Sequence, residues 1–147
     1  MKVQLLIGAL LIAGSASAAE IGVTTARDYA GTNRDAYGIT VGDKFGAIGL
    51  TAGWERANTG DRQDRYSIVA GYDVAKISSV TITPKVGVAY LQNKTADDGY
   101  AMTVGVGASV PITKQVSLGV DVARQYGQAR VDQFNDNRVT ASVKYAF

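Results

Sequence analysis

The last nine residues of the chain read VTASVKYAF, Val139 to Phe147. Val139, Ala141, Val143, Tyr145 and Phe147 are apolar or aromatic, whereas Thr140, Ser142, Lys144 and Ala146 are polar or small. A period of two marks a strand whose two faces meet different surroundings. Such a strand at the open edge of a soluble sheet invites aggregation. In a closed barrel within a membrane it is at home, because the last strand pairs with the first and its apolar face meets lipid.

The same alternation runs back through the chain, interrupted by turn chemistry. Upstream segments fall near residues 20–28, 36–42, 46–56, 65–75, 80–92, 99–110 and 115–126, making eight strands with the terminal one. In each, one parity is apolar: Ile48, Leu50, Ala52 and Trp54 in the third, for example, and Val116, Leu118, Val120 and Val122 in the seventh. The other parity is rich in Gly, Ser, Thr and Ala, with Val69 an exception. The lengths suit tilted membrane strands of about 9–11 residues. Short connections near 42–45, 76–79 and 111–114 alternate with longer charged ones near 29–35, 57–64, 93–98 and 127–137. That asymmetry matches periplasmic turns and extracellular loops. Pro84 cannot donate to a ladder, but it stands near the start of its segment.

Composition narrows the function classes. The 147 residues suit a single domain. With 46% hydrophobic and 19% charged residues, the chain is neither a disordered polar chain nor a bundle of membrane helices. A formal net charge of +2 is too small to argue for nucleic-acid binding. There is no cysteine and no histidine, which removes disulfides, thiolate and imidazole metal sites, and every Ser-His catalytic scheme. We therefore expect no catalytic, cofactor-binding or metal-binding residues. Residues 1–18 carry Lys2, an apolar run and a small-residue ending Ala16, Ser17, Ala18. They read as a signal peptide cut between Ala18 and Ala19, which leaves a barrel domain over 19–147.

Three further patterns agree with an eight-stranded, antiparallel, up-and-down transmembrane β-barrel. Tyr37, Trp54, Tyr66, Tyr90, Tyr100 and Tyr126 fall beside the long loops, and Phe45, Tyr72, Tyr145 and Phe147 near the opposite rim. Amphipathic rings collect at the two membrane interfaces, so these are two girdles. The Gly-rich parity suits a narrow lumen filled by side chains. Charges on that parity are expected to pair: Glu55 with Arg65, Asp121 with Lys144, and Asp73 diagonally with Lys85.

These residues resemble the small eight-stranded outer-membrane barrels of the OmpX-like and opacity-type kind. Val139, Ala141, Val143, Tyr145 and Phe147 look like the assembly signal of that class. The resemblance implies export to the outer membrane of a Gram-negative bacterium and insertion by the barrel-assembly machinery. It covers the mature chain, although the loops are shorter than those of members that bind host cells.

Several functions fit such a barrel. A structural or surface-interaction element comes first. Its loops mix Arg27, Arg34, Arg56, Arg62, Arg130 and Arg138 with Asp28, Asp35, Asp61, Asp64, Asp132 and Asp136, and Arg suits the phosphates of lipopolysaccharide. A narrow passive channel is the alternative, opposed by the side-chain filling of eight-stranded barrels. A secreted lipocalin-like barrel would place the apolar parity inside around a ligand. A lipid-modifying enzyme lacks any recognisable catalytic spacing here. Oligomeric state is not legible in the sequence.

Overall fold

The computed structural model describes residues 19–29, 34–57, 63–94, 98–127 and 136–147. Nine antiparallel strands cover them: β1 (Glu20–Asp28), β2 (Arg34–Phe45), β3 (Ile48–Ala57), β4 (Gln63–Tyr72), β5 (Ala75–Ile77), β6 (Val80–Asn93), β7 (Gly99–Pro111), β8 (Val116–Gly127) and β9 (Asp136–Ala146). The short β5 continues β4, and β4 also pairs with β6, so the sheet closes into a barrel of eight staves. The seam joins β1 to β9 from the Glu20–Ala146 pair to the Asp28–Arg138 pair. Phe147 adds a backbone bond at 3.0 Å, its N–H donating to the Ala19 carbonyl.

Pairing fixes the tilt. From Glu20 the pairs step through Gly42, Thr51, Val69, Gly87, Thr103, Gln125 and Asp136. Back at β1 this path lies two residues beyond Asp28, the partner of Arg138, and so has climbed ten positions. A stagger of this size over eight strands inclines them in the usual range of about 35–45°.

Faces follow the parity of the sequence. Val23, Ile39, Val86, Val88, Val104, Val120, Val122 and Val143 point outward and are exposed, Val23 and Val88 at 59% each. Thr24, Gly38, Glu55, Arg65, Thr103 and Ser142 point inward and are at most partly accessible. An exterior belt of valines and isoleucines demands hydrocarbon rather than water. The lipocalin-like alternative, which needs that parity inside, is thereby overturned. Ala52 shares the outward parity but is covered by its larger neighbours, at 3% exposure.

Three local details differ from the sequence reading or explain its exceptions. The first short turn lies at 46–47, not 42–45: Asp43, Lys44 and Phe45 remain in the ladder opposite Leu50, Gly49 and Ile48. Gly46, at φ 65°, makes the tight reversal possible. Between β4 and β5 the register slips by one residue, from the Gly71–Lys85 pair to the Ala75–Ile82 pair, which is a β-bulge. Val74 N–H donates to the Ile82 carbonyl at 3.1 Å. Alternate residues of a strand address the same neighbour, so the N of Pro84 faces this break, where a missing donor does least harm. Val69 is the one valine on the inner parity of its stave, and its direct partner Gly87 has no side chain to oppose it.

The aromatics form rows at the two rims. Trp54, Tyr66, Tyr90 and Tyr100 are successive cross-strand partners on β3, β4, β6 and β7. The rings of Tyr90 and Tyr100 lie 5.1 Å apart. Tyr37 and Tyr126 extend this row, both exposed. At the other end Phe45, Tyr72, Tyr145 and Phe147 are exposed, and the last two meet edge to face at 5.4 Å.

Candidate functional site

The inward residues build one layer of buried charge beneath the long loops. Glu55 on β3 and Arg65 on β4 stand directly opposite, with Arg65 Nε 3.8 Å from Glu55 Oε2. Arg65 then spans the lumen: its Nη1 donates to Gln125 Oε1 at 2.7 Å and its Nη2 to Thr103 Oγ1 at 3.1 Å. Arg138 on β9 donates through Nη1 to Asp28 Oδ1 at 2.8 Å and through Nη2 to Glu55 Oε2. Thr24 Oγ1 donates to Glu55 Oε1 at 3.3 Å. Six of the eight staves are thus tied across the interior. Asp28, Glu55, Arg65 and Arg138 are all under a tenth exposed. The two guanidiniums offset the two carboxylates they face, as buried charge requires, and Asp136 lies buried beside them. Gly38 is the direct partner of Glu55, and a Cβ there would meet Glu55 Cγ at 2.5 Å. The glycine is what gives the carboxylate room to cross.

Space is distributed unevenly about this layer. Beside Asp28, Glu55, Arg65 and Arg138, under Leu91 and Gln63, the free volume is about 10 Å³, the room of one water. Below, toward the short turns, opens a vestibule of about 360 Å³, walled largely by threonines, serines, glycines and charged residues. Three ion pairs line its lower part: Lys44–Asp73 at 2.5 Å, Lys144–Glu20 at 2.6 Å, and Lys85–Asp121. Thr83 Oγ1 also donates to Asp73 at 2.7 Å.

No protein-family model and no curated protein matches the sequence. Solved structures do match. The N-terminal β-barrel domain of Pseudomonas aeruginosa OprF aligns over 88% of this chain and 97% of its own, with a TM-score of 0.74 at 16% identity. Neisserial surface protein A aligns over 89% and 97%, with a TM-score of 0.65 at 16% identity. Yersinia pestis Ail aligns over 90% and 100%, with a TM-score of 0.58 at 12% identity. The fold is that of the small eight-stranded outer-membrane barrels.

Within this outer-membrane barrel fold, the charged residues picked out from the sequence all face the lumen, but two pairings differ from expectation. Asp121 was expected opposite Lys144; it stands opposite Thr140 and binds Lys85, while Lys144 stands opposite Ser117 and binds Glu20. Asp73 takes Lys44 rather than Lys85. The β8–β9 register is four residues from the expected one because the ladder closes with Gln125 opposite Asp136 rather than Tyr126 opposite Val139. An even slip leaves every side chain on its face, so periodicity has no power against it. Arg138, Asp28 and Asp136, read as loop charges, are buried inside. Parity carried the signal: Arg138 shares it with Thr140 and Ser142, Asp28 with Thr24 and Ala26. Leu91, 1% exposed, caps the layer from the loop side, a position that strand periodicity alone does not single out. The leader, with Ala18, and the loop residues Asp61, Arg62, Asp97, Arg130 and Asp132 lie outside the described residues.

On the barrel's outer face a second motif repeats at the height of the loop-side girdle. Arg27 donates from Nε and Nη2 to the two oxygens of Asp35, at 2.6 and 2.9 Å. Arg56 repeats this with Asp64 at 2.7 and 3.2 Å, its guanidinium 5.0 Å above the Trp54 ring. In both hairpins the Arg and the Asp are direct cross-strand partners. Arg124, over Tyr126 at 5.6 Å, occupies the same place on β8, and its partner across the ladder is Asn137.

Proposed function

We propose that the chain is an integral outer-membrane barrel with a structural or surface-interaction role, non-enzymatic, its lumen plugged by side chains. The observation that carries this reading is the Glu55–Arg65–Arg138–Asp28 layer, which spans the interior above the vestibule and has a cavity of only about 10 Å³ on its loop side. A leader cut between Ala18 and Ala19, insertion guided by Val139, Ala141, Val143, Tyr145 and Phe147, and contact with lipopolysaccharide complete the proposal. The seam formed by β9 supports the second, since the strand read by an assembly machinery is here the one that closes the barrel.

The vestibule of about 360 Å³ favours one other reading, a narrow channel interrupted by a single layer. Single-channel recording in planar bilayers separates the two. The plugged barrel gives no conductance steps over hours at moderate voltage. Regular steps from purified wild-type protein would transfer the proposal to the channel. Mass spectrometry of protein purified from outer membranes tests the cleavage site, which is wrong if the mature chain does not begin at Ala19.

A further inference from the structure

The three arginines of the outer face are a natural comparison set. Each points away from the lumen, each lies beside the aromatic girdle, and each faces its own hairpin partner across the ladder. Arg27 and Arg56 each meet a carboxylate there. Arg124 meets the neutral amide of Asn137, whose Oδ1 accepts from Nη1 at a long 3.4 Å. Among the described residues no carboxylate pairs with Arg124, and its remaining contact is the Tyr126 ring. Both Arg124 and Asn137 are exposed.

A guanidinium on the lipid side of a barrel, at the water interface, retains its charge and seeks an anion. Two hairpins supply that anion from the chain itself. The third does not, although it keeps the arginine, the aromatic beneath it and the polar partner opposite. What arrives at this height from outside the protein, on its lipid face, is the headgroup of a neighbouring lipid. Phosphate is the group that a planar guanidinium binds in bidentate fashion.

We propose that Arg124, with Asn137 and Tyr126, forms a binding site for the phosphate of an outer-leaflet glycolipid. Arg124 donates to the phosphate oxygens from the edge that Arg27 and Arg56 turn to their aspartates. The Asn137 amide is free to add a donor, which a carboxylate at that position could not. Below Asn137 on the same strand, Val139, Ala141 and Val143 offer a low wall for acyl chains. Arg27 and Arg56 serve as internally neutralised counterparts. The site rests on the outer-membrane reading, which is checked separately by fractionation.

The test uses the full-length mature protein, purified in neutral detergent, with phosphorylated lipid A and its enzymatically dephosphorylated form as probes. Native mass spectrometry counts bound lipid, and the Nε–H resonance of Arg124 reports the site. Arg124→Gln should weaken phosphorylated lipid binding roughly tenfold, the effect of losing a hydrogen bond to a charged group. Asn137→Asp, which rebuilds the Arg–Asp pair, should weaken it comparably while leaving the barrel intact. Arg56→Gln should leave it unchanged. Each variant is first shown to be folded by its heat-dependent gel mobility. The proposal is overturned if both forms of lipid A bind alike, if Arg124→Gln and Asn137→Asp bind as wild type does, or if Arg56→Gln loses as much as Arg124→Gln. A protein that fractionates outside the outer membrane would instead remove the reading on which the site rests.

Discussion

Glu55→Gln is the sharpest probe of the buried layer. The substitution keeps the shape of the side chain and removes one negative charge from among two guanidiniums and two carboxylates. Arg138 keeps Asp28 at 2.8 Å, and Arg65 keeps Gln125 and Thr103, so hydrogen bonds largely survive while the charge balance does not. Glu55, Arg65 and Arg138 are each under a tenth exposed, so little water is at hand to screen the excess. Removing one member of a buried pair destabilises by about 3–5 kcal/mol, whereas a solvated pair contributes about 0–1 kcal/mol. Lys85→Met, which breaks the Lys85–Asp121 pair in the wetter vestibule, provides the comparison. Urea unfolding in phospholipid vesicles, followed by the fluorescence of Trp54 next to Glu55, gives both free energies. Glu55→Gln should lose at least about 2 kcal/mol more than Lys85→Met. Adding Arg65→Gln to Glu55→Gln should restore part of the loss, because the surplus charge goes with it. Equal losses at the two levels, or no recovery in the double variant, would refute the argument that the layer is dry and self-neutralised.

Other consequences follow from individual positions. Gly38→Ala puts a Cβ against Glu55 Cγ and the Trp54 carbonyl; it should destabilise by about 1–3 kcal/mol in the same assay, and a neutral result would mean that Glu55 does not cross there. Val88→Arg, on the lipid face at 59% exposure, should cost about 2–4 kcal/mol in thick-enough bilayers, and tolerance there would argue against its mid-membrane depth. Deleting Phe147 removes its bond to Ala19 and the terminal aromatic; pulse-chase labelling should show slower appearance of the heat-modifiable form, and wild-type kinetics would exclude it from the assembly signal.

The eight staves, their two faces and the aromatic rows at the rims are readable from residue order because each rests on a local rule. Ile48, Leu50 and Trp54 against Gly49, Thr51 and Glu55 need no knowledge of a partner strand to declare two sides. The Glu55–Arg65 juxtaposition was also within reach, since aligning Trp54 with Tyr66 across their hairpin sets the register that places the two charges opposite. Even the burial of Arg138 and Asp28 was encoded in parity, but their closeness to the loops argued for water, and that local cue misled.

Sequence alone determined that this chain makes a closed, two-faced cylinder, because a period of two records which neighbours each side chain meets. Only the closed barrel decided who pairs with whom inside it. Asp121 reaches Lys85 from β8 to β6 over Gly107 of β7, and Arg138 reaches Glu55 from β9 to β3, in both cases beyond the directly paired strand. Those contacts depend on the registers of every strand that lies between the two partners. A slip of two or four residues in a hairpin leaves every face unchanged yet re-pairs the charges that span it, so the information resides in the combined registers of the strands between two partners.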